Sequence, residues 1–181
     1  MRRRRLLDWF VLGALVVAAT YGTSLLPGSR LSGSVRIVDG DSFFLANDEV
    51  RLFGIDAPEG RQVCTAANGS SYRCGRRAAS TLRALVRNRE VSCDVISVDR
   101  YDRSLARCKA GNVDLNTEMV RRGWAVAFRD GVGEFARVEE EARAAKRGLW
   151  QGLFDRPQDW RRLNAARAAK AATAGATSPA D

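Results

Sequence analysis

Residues 34–55 read as SVRIV, DSFFLA and EVRLFGI, with Asp39-Gly40 between the first two runs and Asn47-Asp48 between the second and third. Each run is rich in β-branched or aromatic residues, and each junction is a tight-turn signal. Strands this short, joined this closely, predict an antiparallel meander that curls. Neither a parallel βαβ alternation nor a Gly-rich nucleotide loop is present. The pattern therefore predicts a mainly β chain with helices, an α+β protein built on a small antiparallel barrel.

The rest of the chain fits that frame. Residues 57–74 form a loop without periodicity, pinned by Pro58. Over 75–88, Ala78, Leu82, Leu85 and Val86 share one face at helical spacing, and over 133–148 Phe135, Val138, Ala142 and Ala145 do the same. Residues 91–98 and 103–108 read as a hairpin around DRYDR. VDLNTEMVRRG predicts a short helix ended by Gly123, and WAVAF (124–128) a short apolar strand or turn. Residues 27–33 are turn formers and read as a linker, so the domain is expected over 34–154. A capping helix is expected over 155–170, then an Ala, Thr, Gly and Pro-rich tail, 171–181, without order.

The N-terminus carries a second signal. Arg2 to Arg5 precede an apolar stretch from Leu6 to Leu26, long enough to span a bilayer as a helix. Its densest part, Trp9 to Ala19, also has signal-peptide length, with Val17-Ala18-Ala19 as the best cleavage candidate. Residues 1–26 thus read as a cytoplasmic basic cluster and a transmembrane anchor, or as a cleaved signal. Either keeps Arg2 to Arg5 in the cytoplasm and places the remainder outside it, periplasmic or extracellular. Four cysteines agree with export. Cys93 and Cys108 stand nearly equidistant from the DRYDR turn and should face each other across the hairpin, which leaves Cys64 to pair with Cys74. A zinc site is the alternative, but no C-x-x-C pair exists.

The chain contains no histidine. That removes Ser-His-Asp and Cys-His nucleophilic sites and His-based zinc sites. Net charge is +9, but Arg2 to Arg5 and Arg30 supply much of it, and the rest is only mildly basic. A mild excess permits a polyanionic partner without demanding one. Against that background RLFGIDAPE (51–59) gathers Arg51, Asp56 and Glu59 at the end of the third strand. Asp39 and Asp41 point to one side of an extended chain, and a meander returns them toward Asp56. Carboxylates gathered at one rim repel unless a hard cation relieves them. Arg103, after the DRYDR turn, could reach the same rim. Carboxylates, a metal and two arginines make a phosphodiester-hydrolysing site without histidine. The plain counter-reading makes Asp39 and Asp48 turn residues and pairs Arg51 with Glu59 on the surface.

VDGDS (38–42), RLFGIDAPE (51–59), DRYDRSLA (99–106), LNTEMVRRGWA (115–125) and the helix ending in RGLW (147–150) resemble, in order and spacing, the thermonuclease or staphylococcal-nuclease-like family. The cysteine pattern and GLFDRPQDWRR resemble its exported bacterial subgroup. The resemblance implies an OB-like five-stranded barrel with about three packed helices and Ca²⁺-dependent hydrolysis of DNA and RNA to 3′-phosphates. Single-stranded or unstructured substrate would be favoured. It implies Asp41, Asp56 and the carbonyl of Ala57 as Ca²⁺ ligands, with Asp39 beside them. Glu59 matches the general base, Arg51 and Arg103 the arginines that grip the phosphate, and Arg100 and Tyr101 the binding position for the nucleotide's phosphate end. The family turn Asp-x-Tyr-Gly-Arg has Asp102 in place of glycine here. The base-stacking tyrosines have no match after Gly123, where Phe128 and Arg129 stand. A non-catalytic binding module on the same fold is the alternative. A third reading makes the chain a membrane-anchored assembly protein, with DRPQDWRRLNAARAAK as a partner helix.

Overall fold

The structure is a computed structural model that describes residues 28–129 and 132–176. The expected membrane span, 6–26, lies outside the described residues. Among those described, no helix is long and apolar enough to cross a membrane.

In chain order the elements are β1 (Arg30–Ser32), β2 (Val35–Ile37), β3 (Ser42–Leu45), β4 (Asp48–Leu52), β5 (Ile55–Asp56), β6 (Cys64–Thr65) and β7 (Ser71–Tyr72). Then come α1 (Cys74–Val86), β8 (Val91–Val98), β9 (Ser104–Ala110), β10 (Val113–Asp114), α2 (Leu115–Arg121) and β11 (Val126–Ala127). α3 (Val132–Ala144), a 3-10 turn (Gly148–Gln151) and α4 (Pro157–Ala176) follow among the described residues. The five expected strands β2, β3, β4, β8 and β9 carry the main sheet, whose order is β1-β8-β9-β4-β3-β2 with β10 added on β9. This curled sheet with four helices is the α+β, OB-like architecture expected from the sequence.

Three details depart from expectation. The two hairpins join through β4 and β9 in parallel register, Val50 beside Ser104 and Leu52 beside Ala106, so the sheet is not wholly antiparallel. The pairing is between distant segments and leaves no local pattern. Residues 30–32, expected as linker, form an edge strand on β8, with Leu31 opposite Cys93 and turned into the core. α4 continues past Lys170 to Ala176, because an alanine-rich run favours helix.

The core follows from strand alternation and helix periodicity. Phe43, Leu45, Val50 and Leu52 point inward from β3 and β4. Ala78, Leu82 and Leu85 of α1 meet them, with Leu115, Met119 and Val120 of α2 and Phe135, Val138 and Ala142 of α3. Each large apolar side chain so buried contributes about 1.5–3 kcal/mol. Ala145 is exposed, because α3 ends one residue earlier. Cys93 and Cys108 are register partners on the inward face and form one disulfide; Cys64 and Cys74 form the other. The second bond ties the loop after Glu59 to the start of α1. Buried Asn116 adds a polar stitch: it accepts from the Cys108 amide and donates to the carbonyls of Phe53 and Ala106.

Candidate active site

Asp39 opens the β2–β3 turn. Its Oδ1 accepts from the Asp41 amide, the Ser42 amide and the Ser42 hydroxyl. Asp39 is thus the turn residue of the plain reading, and it also lies close enough to bear on Asp41 electrostatically. A side chain on Gly40 would lie 2.6 Å from the Ala78 methyl and 2.7 Å from the Ala57 methyl. Glycine there lets the turn sit against α1 and bring Asp41 inward.

Asp41 is buried, and its Oδ2 accepts from the Ala57 amide at 2.8 Å. Arg51 of β4 extends one nitrogen, Nη2, between two carboxylates: 3.0 Å to Asp41 Oδ2 and 2.6 Å to Asp56 Oδ1. Asp56 is fully buried on β5, held by its pairing with Val126 of β11. Burial pushes the Asp41 carboxyl well above the ordinary carboxylate range; Arg51 and the Ala57 amide pull it back, while Asp39 and Asp56 push with burial. The plain pairing of Arg51 with Glu59 is not what forms. Arg51 spans Asp41 and Asp56, and Glu59 is taken by another residue.

That residue is Arg161, in the second turn of α4. Its Nη1 lies 2.7 Å from Glu59 Oε1 and 3.1 Å from Asp56 Oδ1, and its Nη2 lies 2.9 Å from Asp56 Oδ2. The guanidinium forks Asp56 and reaches Glu59 at once. Partial burial works against its charge, and the two carboxylates outweigh that. Sequence reasoning missed Arg161, which sits 102 residues from Glu59. The loop bearing Glu59 is fixed by buried Gln62: the Gln62 amide donates to the Glu59 carbonyl at 2.7 Å, and its Nε2 donates to the Asp155 carbonyl at 2.8 Å. Glu139 of α3 accepts from the Ala127 amide and pairs with Arg156, so β11 and the root of α4 share one anchor. A cleft of about 170 Å³ opens beside Asp56, lined by Phe128, Arg129, Arg156 and Pro157 among others.

Arg103 has Asp99 as its carboxylate partner. Its Nε and Nη2 hold Asp99 Oδ2 at 2.9 and 2.7 Å, and Asp99 Oδ1 accepts from the amides of Tyr101 and Arg103. Burial opposes the charge of Asp99, and these bonds outweigh it, so the carboxyl lies below its ordinary range. Arg100 and Arg103 both lie near the exposed ring of Tyr101. Asp102 adopts φ 61°, the left-handed conformation that the family glycine suits. The carboxylate that takes Arg103 is Asp99, not Asp102.

The sequence profile described as "Staphylococcal nuclease homologue" matches residues 49–152, which include Arg51, Asp56, Glu59 and Arg103. The chain belongs to that family. Among similar proteins, this nuclease homologue is 36% identical over 182 aligned positions to "Protein ParB" of Escherichia coli, covering 90% of this chain and 95% of that protein. It is 33% identical over 144 residues to "Succinoglycan biosynthesis protein ExoI" of Rhizobium meliloti (strain 1021), covering 78% of this chain and 73% of that one. To "Probable staphylococcal-like nuclease CAN2" of Oryza sativa subsp. japonica it is 34% identical over 116 residues, spanning 62% of this chain and only 29% of that protein. A nuclease-type function goes with the family. Among the described residues of the nuclease homologue, no group of three or more His, Cys, Asp or Glu side chains forms a ready-made metal cage. The donor chemistry nonetheless fits a hard cation: Asp41 and Asp56 are buried, offer only oxygen and flank the same Arg51 nitrogen.

Proposed function

We propose that this chain hydrolyses phosphodiester bonds of DNA and RNA outside the cytoplasm, with Ca²⁺ as cofactor and 3′-phosphate products. The observation that carries the reading is the grouping of Asp41, Arg51, Asp56 and Glu59 within one partly buried cluster. Asp41 and Asp56, with the carbonyl of Ala57, would hold the cation and Asp39 would shape the turn beside it. When bound, Ca²⁺ would polarise a phosphoryl oxygen and offset charge building on the phosphate. Glu59 would take the proton of the attacking water. Arg51, anchored by both carboxylates, presents a fixed positive charge toward the phosphate, and Arg103 with Arg100 and Tyr101 offers a second cationic surface. Single-stranded or unstructured nucleic acid would be favoured, as the family resemblance implies. The paired cysteines and the basic-apolar N-terminal stretch support an extracytoplasmic, membrane-tethered location.

The test uses the full chain, oxidised and in detergent, incubated with single-stranded DNA or RNA in Ca²⁺ or in EDTA. Cleavage should require Ca²⁺, and Glu59→Gln should lower its rate by roughly 10²–10⁴-fold with nucleic-acid binding retained. Near wild-type cleavage by the variant would overturn the assignment of Glu59. Binding without cleavage in any divalent cation would make the chain a binding module.

A further inference from the structure

Arg161 occupies the space between the two groups that the proposed chemistry needs separately. Both oxygens of Asp56 are bonded to its guanidinium, and one nitrogen of that guanidinium also holds Glu59. Forked in this way, and with Arg51 on Oδ1 as well, Asp56 has few lone pairs left to offer a cation. Glu59 holds Arg161 through Oε1, which leaves Oε2 to face water. Arg161 sets its positive charge against Asp56 and Glu59, as Arg51 sets one against Asp41 and Asp56.

The way α4 is mounted suits an exchangeable group. Its root is fixed by Gln62 on the Asp155 carbonyl, by Arg156 on Glu139 and by buried Pro157. Trp160, Arg161 and Asn164 are half-buried, and residues 165–173 are all exposed. The neighbouring Arg162 faces water and pairs with Asp159, one turn back on the same helix. Arg161 is thus the α4 cation delivered into the cluster, on a helix that few contacts hold beyond its second turn.

We propose that Arg161 is a built-in counter-cation that competes with the divalent cation for Asp56, and that cation binding expels it from the carboxylates. This rests on the reading of the cluster as a cation-dependent nuclease site. Arg161 is a positioning residue: in the cation-free protein it holds Glu59 and Asp56 in fixed places and keeps three carboxylates from repelling one another. The cost of expelling it weakens cation affinity and sets the concentration at which the site loads.

The test needs no nucleic acid. Calorimetric titration of the full, oxidised chain with Ca²⁺, and separately with Mn²⁺, gives a dissociation constant for the native protein, Arg161→Gln and Arg161→Lys. Removing one positive charge from the cluster should tighten binding by at least about tenfold in Arg161→Gln. Arg161→Lys, which keeps the charge and loses the fork, should fall between. Circular dichroism on each variant confirms the fold, and the lysine variant carries the test if the glutamine variant does not fold. In parallel, hydrogen exchange over 157–170 should speed up when cation is added to the native protein and should not respond in Arg161→Gln. Equal or weaker cation binding in both variants, with the native protein binding normally, would overturn the exchange while leaving the nuclease reading intact. Failure of all three proteins to bind any divalent cation would overturn both. Binding by the variants alone would support the exchange in its strongest form.

Discussion

Asp99 holds Arg103 three times over: one carboxylate oxygen takes two nitrogens of its guanidinium, and the other takes its backbone amide. The same residue therefore folds the β8–β9 turn and aims the arginine that leaves it. Asp99→Asn should weaken the charged part of that grip and destabilise the domain by about 1–2 kcal/mol near neutral pH, read by urea unfolding. The Asp99 carboxyl is lowered in the folded state, so its contribution is present above the ordinary Asp value and is lost as pH falls through the folded value. The gap between native protein and variant should accordingly shrink below about pH 4.

Gly75 approaches the loop that carries Glu59 more closely than any side chain allows. A Cβ there would lie 1.8 Å from the Glu59 carbonyl oxygen, which is backbone and cannot swing away. Gly75→Ala should cost on the order of 2–3 kcal/mol in thermal unfolding and should reduce cleavage beyond what the lost stability explains.

Asp102 tests the price of a left-handed residue without glycine. Because Asp99 rather than Asp102 binds Arg103, Asp102→Gly should leave cleavage unchanged and stability within about 0.5 kcal/mol, relief of strain offsetting the looser unfolded chain. Asp102→Val should lose about 1–2 kcal/mol, since a β-branched residue tolerates φ 61° poorly.

The two disulfides should separate by function. Cys93–Cys108 closes a sequence separation of 15 inside the sheet, and its removal should cost about 3 kcal/mol. Cys64–Cys74 closes a separation of 10 and ties the segment after Glu59 to α1. Replacing that pair with serine should lower cleavage more than replacing the sheet pair does, when both are compared at equal fractions folded.

What could be read from the sequence was local. Asp39-Gly40 and Asn47-Asp48 announced the meander, and the helical spacing of Ala78, Leu82 and Leu85 announced α1 and its buried face. The pairing of Cys93 with Cys108 followed from their distance to one turn. Contacts between remote segments left no such trace. β1 is three residues among turn formers, and only its register against Cys93 makes it a strand. The split of the third strand into β4 and β5 depends on Val126 arriving opposite Asp56. Arg161 is the clearest case. Its neighbour Arg162 is the same residue type in the same helix, and only tertiary placement sends one to Asp56 and the other to water.

The family match stops at residue 152, before Asp155, Pro157 and Arg161. A fragment cut at its bounds, 49–152, would sever Gln62 from its carbonyl partner at Asp155 and would lose both Asp41 and Arg161. Arg51 and Asp56 would remain, each without the second partner that holds it in the whole chain.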